Sequence, residues 1–226
     1  MTTQDDGATE RVAEARARQE VLETALAMSR QGLSPGRSGN VSRRFRSGML
    51  ITPSGMAYDS ILPPDIVFVA DDGSVPAGQR RPSSEWLFHL AAYRTRIDRG
   101  AIVHTHSMHA TALACAGKAI PAFHYMVAIA GGKNIPIVPY ATFGTEKLAQ
   151  HVARGLKKRD ACLMANHGQI AIGDTCAKAL DLASEVEILA EQYCKVLCLG
   201  KPVLLGDAEM RDVLARFRSY GQNAQK

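Results

Sequence analysis

Helical and strand periods follow one another along this chain without regular alternation, and that order most limits what it can fold into. A strict strand–helix alternation would build a parallel sheet, whereas short strands entering in pairs between helices build an antiparallel one. Val12, Ala15, Val21, Leu22, Ala25 and Met28 repeat at helical spacing and stop at Gly32, which predicts a first helix, with residues 1–10 frayed or extending it. Residues 41–45, 49–51 and 66–69 read as strands, broken by Ser47-Gly48, Pro53-Ser54-Gly55 and Pro63-Pro64. Pro82 opens a predicted helix with Trp86, Leu87, Leu90 and Ala91 on one face, and Ala101-Ile102-Val103 reads as a strand. A helix over 108–116, a strand over 135–138 and an amphipathic helix over 145–158 follow. The strand 161–164 then runs into Asn166-His167-Gly168, and 170–172 returns as its hairpin partner. Asp174 is the expected cap of the longest helix, whose 3.6-residue period persists through Tyr193 to Gly200. With no internal repeat, low-complexity tract or linker, the expectation is one α/β domain over 1–226, with a central, largely antiparallel sheet covered by helices.

Composition narrows the class. A chain of 226 residues that is 46% hydrophobic and 22% charged suits a soluble globular domain and excludes collagen, a disordered tail and a minimal disulfide knot. No apolar run approaches the ~20 residues that span a bilayer, and the first residues are polar and acidic, so a cytoplasmic protein with no membrane partner is expected. The five cysteines are odd in number and scattered, and read as core hydrophobes in a reducing compartment. The net charge of +5 suits mild attraction for anions such as sugar phosphates. No basic stripe with interleaved aromatics exists, so no nucleic-acid partner is expected.

The chemistry concentrates in histidines. In a strand, residues two apart project to one face, so His104 and His106 can grip one metal ion, with His167 at the mouth of the same sheet as a third ligand. Three neutral imidazoles leave a divalent ion its full charge and an open position, the catalytic arrangement. Spacing alone equally allows strand histidines satisfied by hydrogen bonds. His89, His109, His124 and His151 receive no ligand role. Ser83 and Ser84 at a helix start offer a phosphate cradle or an ordinary cap, and Glu85 in the same turn could reach a metal or act as a base. The turns Gly39-Asn40-Val41-Ser42 and Thr52-Pro53-Ser54-Gly55 could add anion donors, though neither has P-loop or dinucleotide spacing. Gly131-Gly132-Lys133 reads as a plain loop.

Taken together and in that order, Gly39-Asn40-Val41-Ser42, Thr52-Pro53-Ser54-Gly55, Ser83-Ser84-Glu85, His104-Thr105-His106 and Asn166-His167-Gly168 resemble the class II aldolase and adducin head family over nearly the whole chain. Residues 120–126 and 139–145 look like central segments of its fuculose-phosphate aldolase branch. The resemblance implies a three-layer α/β/α sandwich and a fourfold symmetric homotetramer with active sites between subunits. It implies Zn2+, or another divalent ion such as Mn2+ or Co2+, held by His104, His106 and His167. Glu85 would be the fourth ligand at rest and the proton-transfer residue once substrate displaces it. Asn40, Ser54, Gly55, Ser83 and Ser84 match phosphate-binding positions, Tyr125 the tyrosine reaching in from the adjacent subunit, and Tyr220 the one on a mobile tail over 207–226.

The implied reaction cleaves a ketose 1-phosphate to dihydroxyacetone phosphate and a small aldehyde. One departure bears on the substrate: the branch carries an arginine shortly after the tail tyrosine, whereas this chain continues Gln222-Asn223-Ala224. Aldolases of 5-deoxyribulose 1-phosphate or 5-methylthioribulose 1-phosphate, and sugar-phosphate 4-epimerases, are the enzymatic alternatives. Adducin-type heads, which are non-catalytic, do not retain the metal residues that stand here.

Overall fold

A computed structural model describes residues 3–217. Seven strands form one sheet in the order β3-β2-β1-β4-β7-β6-β5. They are β1 (Asn40–Phe45), β2 (Gly48–Ile51), β3 (Val67–Ala70), β4 (Ala101–Thr105), β5 (Ile137–Val138), β6 (Ala161–Met164) and β7 (Gly168–Gly173). Every pairing is antiparallel except β5 with β6. The helices are α1 (Thr3–Arg30), α2 (Trp86–Thr95), α3 (Met108–Cys115), α4 (Glu146–Leu156), α5 (Cys176–Leu199) and α6 (Asp207–Phe217).

Strand alternation sorts the core into two layers, as a period of two requires. Val41, Leu50, Val103, Leu163 and Ala171 pack with α1, α3 and α5 on one face. Ile51, Val67, Ile102, Cys162, Ile170 and Ile172 pack with α2 and α4 on the other. The expected α/β/α sandwich around a mostly antiparallel sheet is therefore what the chain forms. His104, two residues beyond Ile102 on β4, belongs to the α2–α4 face and meets the edge of the Phe88 ring.

Several local expectations are corrected. Helix α1 begins at Thr3, so residues 3–10 extend it, and its 28 residues exceed the 24 of α5. The cap of α5 is Thr175, whose hydroxyl accepts from the Lys178 amide at 3.3 Å, while Asp174 pairs with Arg99 and Lys178. Pro82 does not open α2: the Ser54 amide donates to the Arg81 carbonyl and the Ser83 amide to the Thr52 carbonyl, both at 3.0 Å. These bonds hold 81–83 extended, and the helix starts four residues later. Only Cys162 and Cys176 are buried; Cys194 is half-buried, and Cys115 and Cys198 are exposed. Residues 207–217 of the expected tail form α6, whose Met210 packs against Ala122 and Ala128. Tyr220 and Gln222-Asn223-Ala224 lie outside the described residues. Among those described, no helix is long and apolar enough to cross a membrane.

Candidate active site

The site forms where the ends of β1, β4 and β7 meet the start of α2. Gly39, at φ +85°, makes the turn into β1; a Cβ there would lie 2.7 Å from the His104 carbonyl oxygen, so only glycine lets the two strands approach. Asn40 is thereby the direct cross-strand partner of His104. Strand β4 ends at Thr105, and His106 lies just beyond it. His167 is carried by the β6–β7 turn, where Asn166 adopts the left-handed conformation at φ +54°, a region asparagine tolerates better than most residues. Glu85 is the residue before α2.

These elements bring Glu85, His104, His106 and His167 together, with one donor atom from each lying within 4.8 Å of all the others. The Nε2 atoms of His104 and His106 are 3.0 Å apart. Glu85 Oε2 lies 3.2 Å from His104 Nε2, and Oε1 lies 3.0 Å from His167 Nε2. The His104 Nδ1–H donates to the Gln169 carbonyl at 2.7 Å. A carbonyl can only accept, so the His104 proton sits on Nδ1 and a lone pair on Nε2 points into the cluster. Glu85 Oε1 is buried without a well-formed hydrogen bond. Lone pairs converging at this range, from nitrogen and oxygen donors, fit a divalent cation, and the group could hold one.

Electrostatics agree with ligand duty. Burial, then the neighbouring His104 and His167, lower His106 to about 3, so its imidazole is neutral at physiological pH. Burial pushes the Glu85 carboxyl up, but when no cation holds their lone pairs, protonated His104 and His167 outweigh it and hold it well below the usual range. Burial first, then His104, lowers the fully buried His89 from 6.5 to about 3. Both His89 and His106 are neutral in the fold and charge more readily when unfolded. Unfolded chains therefore take up more protons as pH falls through 6.5 toward 3, and the metal-free protein is expected to lose stability across that window. Thermal unfolding in chelator checks this; an unchanged midpoint from pH 7 to 4 contradicts it.

A cleft of about 320 Å³ opens beside the cluster. Asn40, Ser54, Gly55, Ser83 and Ser84 all line it, together with Glu85, His106 and His167. The ladder between 52–54 and 81–83 is what joins the two serine turns on one wall. Asn40 has a further engagement: its amide Nδ2 donates to Glu85 Oε2 at 2.8 Å. Tyr125 opens the short 3-10 turn Tyr125–Ala130, is half exposed, and does not line the cleft of its own chain. The remaining histidines stay out of the cluster: His109 meets Glu187, His124 accepts from the Met126 amide, and His151 donates to the Pro139 carbonyl.

The cleft also contains residues to which the sequence reading gives no site role. Arg37, two residues ahead of Gly39, is the one lysine or arginine among its described lining residues, and Tyr140, Phe143 and Asn166 also border it. Arg37 is legible as the basic residue inside the glycine-rich turn; Tyr140 and Phe143 stand in the resembling segment 139–145, where nothing in the spacing marks them as lining a site.

Comparison with known proteins follows the same lines. The family described as "Class II Aldolase and Adducin N-terminal domain" matches residues 19–194. The chain is 48% identical to the L-fuculose phosphate aldolase of Escherichia coli (strain K12), over 89% of this chain and 94% of that protein. It is 49% identical to a 5-methylthioribulose-1-phosphate/5-deoxyribulose-1-phosphate aldolase of Rhodospirillum rubrum, over 91% of this chain and 92% of the other. A solved structure of an L-fuculose 1-phosphate aldolase superposes with a TM-score of 0.86 at 40% identity, covering 90% of this chain and 96% of that one.

Proposed function

This chain belongs to the class II aldolase and adducin family and is an aldolase, an aldehyde-lyase; we propose that it reversibly cleaves a ketose 1-phosphate resembling fuculose 1-phosphate to dihydroxyacetone phosphate and a small aldehyde such as lactaldehyde. One observation carries this reading. A single cleft is lined both by Glu85, His106 and His167 of the four-residue group and by Ser54, Gly55, Ser83 and Ser84. Its volume suits a small phosphorylated sugar.

The three imidazoles and Glu85 would hold Zn2+, with Mn2+ or Co2+ able to substitute. When bound, a divalent cation supplies Lewis-acid stabilisation of the negative charge that develops on cleavage. The serine and glycine donors hold the phosphate, with Asn40 at the edge of the same cradle. Tyr125, contributed by a neighbouring subunit of a homotetramer, takes the proton of the C4 hydroxyl. The C3–C4 bond then breaks, its electron pair stays on C3, and the aldehyde leaves. Glu85, a carboxylate that lines the cleft, takes up a proton from solvent in place of the one Tyr125 removed, delivers it to C3 of the resulting enediolate, and removes it in the condensation direction. Tyr220, assigned a catalytic part by the family resemblance, lies outside the described residues. The protein acts as a single domain in the cytoplasm.

A second reading keeps the chemistry and changes the aldehyde. The lack of an arginine after Tyr220, and the equal likeness to a methylthioribulose-type enzyme, favour 5-deoxyribulose 1-phosphate or 5-methylthioribulose 1-phosphate as the alternative substrate. A panel of these ketose 1-phosphates, coupled to triose-phosphate detection, tests both readings. Isomerisation of ribulose 5-phosphate without triose release would instead mark a 4-epimerase, and absence of metal an adducin-like module.

Arg37 gives a separate prediction. Its Nη1 donates to the Gly55 carbonyl at 3.2 Å, at the wall assigned to the phosphate. Arg37→Ala is expected to raise KM for the ketose 1-phosphate about tenfold, the cost of one exposed charge-assisted contact, with kcat little changed. An unchanged KM, or a fall in kcat alone, removes Arg37 from phosphate binding.

A further inference from the structure

From Glu85 and the cleft-lining Asn40 inward runs a continuous line of buried polar side chains joining α2 to β1. Tyr93 Oη lies 2.9 Å from Ser42 Oγ, and Ser42 Oγ lies 2.7 Å from His89 Nδ1. His89 Nε2 lies 2.6 Å from Asn40 Oδ1, and Asn40 Nδ2 donates to Glu85 Oε2 at 2.8 Å. Ser42 and His89 are fully buried, and Asn40 and Tyr93 nearly so. Such a line inside an apolar layer needs every donor matched to an acceptor.

The direction of each bond follows from its last member. The Glu85 carboxylate is an acceptor, so Asn40 must turn its amide nitrogen toward Glu85 and its oxygen toward His89. That oxygen can only accept, so the His89 proton resides on Nε2. His89 Nδ1 is then a lone pair that takes the Ser42 hydroxyl proton, and Ser42 Oγ takes that of Tyr93. Every bond donates toward the carboxylate.

We propose that His89 is a positioning residue for the reaction: with its proton on Nε2, it locks the Asn40 carboxamide in the one orientation that presents an N–H to Glu85. Without that donor the carboxamide is held at one end only, by Glu85, and can swing away from the carboxylate. Glu85 would then lose both a hydrogen bond and its fixed rotamer. Burial, which keeps His89 neutral, favours the same arrangement. The kinetic consequence rests on the aldolase reading above; the proton placement does not.

Two variants separate positioning from packing. In His89→Gln the side-chain amide reaches the place of Nε2 and can still donate to Asn40. In His89→Asn the shorter amide reaches only the place of Nδ1, so Ser42 keeps a partner and Asn40 loses its donor. The asparagine variant is expected to lose about 10- to 100-fold in kcat, as outer-shell substitutions commonly do, with KM little changed, while the glutamine variant recovers most of that loss. Thermal unfolding of both identifies any loss that comes from misfolding. A neutron structure of the full-length, unsubstituted protein is expected to place a deuteron on His89 Nε2 and none on Nδ1. A deuteron on Nδ1, or equal kcat in the two variants, overturns the proposal. If no ketose phosphate is cleaved at all, the aldolase reading fails while the neutron result still decides the proton placement.

Discussion

His106→Ala is expected to purify with far less than one zinc ion per chain and to lose at least about a thousandfold in turnover, because the Lewis-acid stabilisation of several kcal/mol goes with the ion. The loss should be specific to metal. His106 is half-buried, lies beyond the end of β4 and lines the cleft, so its removal disturbs the sheet little. His104, by contrast, is fully buried and tied to the Gln169 carbonyl, and its truncation would leave a cavity beside Phe88 as well. Far-UV circular dichroism close to that of the unsubstituted protein, together with plasma emission showing little bound metal, is the expected pair of results. One zinc ion per chain in the variant would refute the ligand assignment.

Glu85→Gln separates holding the metal from moving the proton. The amide oxygen can still accept from Asn40, and the three imidazoles remain, so metal content is expected to persist. The variant loses the group that exchanges a proton with C3, and kcat should fall by about 10²- to 10⁴-fold. Exchange of solvent deuterium into dihydroxyacetone phosphate reports that step without the aldehyde and should fall in parallel. Turnover at the unsubstituted rate would remove Glu85 from proton transfer. Loss of metal along with activity would make it chiefly a ligand.

Much of the site could be read in the chain because its parts are local. His104 and His106 are two residues apart at a strand end, Ser83, Ser84 and Glu85 are consecutive, and turn residues announce both Gly39-Asn40 and Ser54-Gly55. All four residues of the group that could hold a metal ion are legible there. The buried line behind it was missed, though a faint signal exists: Glu85, His89 and Tyr93 recur every four residues, and Asn40 and Ser42 alternate on a strand. Each pattern alone reads as scattered polar residues. Their meaning lies in one stripe facing the other, a fact of packing that no local spacing expresses.

Local errors had the same origin. Pro82 is a good first helical residue by its fixed φ, yet hydrogen bonds from a segment thirty residues away hold it extended. The order of short strands and helices, the apolar periods and the polar types at fixed offsets were properties of the sequence, because backbone geometry repeats every two or 3.6 residues. Which residues face one another across the α2–β1 interface, that Arg37 reaches the wall of the serine turns, and that His167 arrives beside His104 were decided by the tertiary structure. Those contacts join segments far apart in the chain, and only the pairing of strands within the sheet and the packing of α2 against it bring them together.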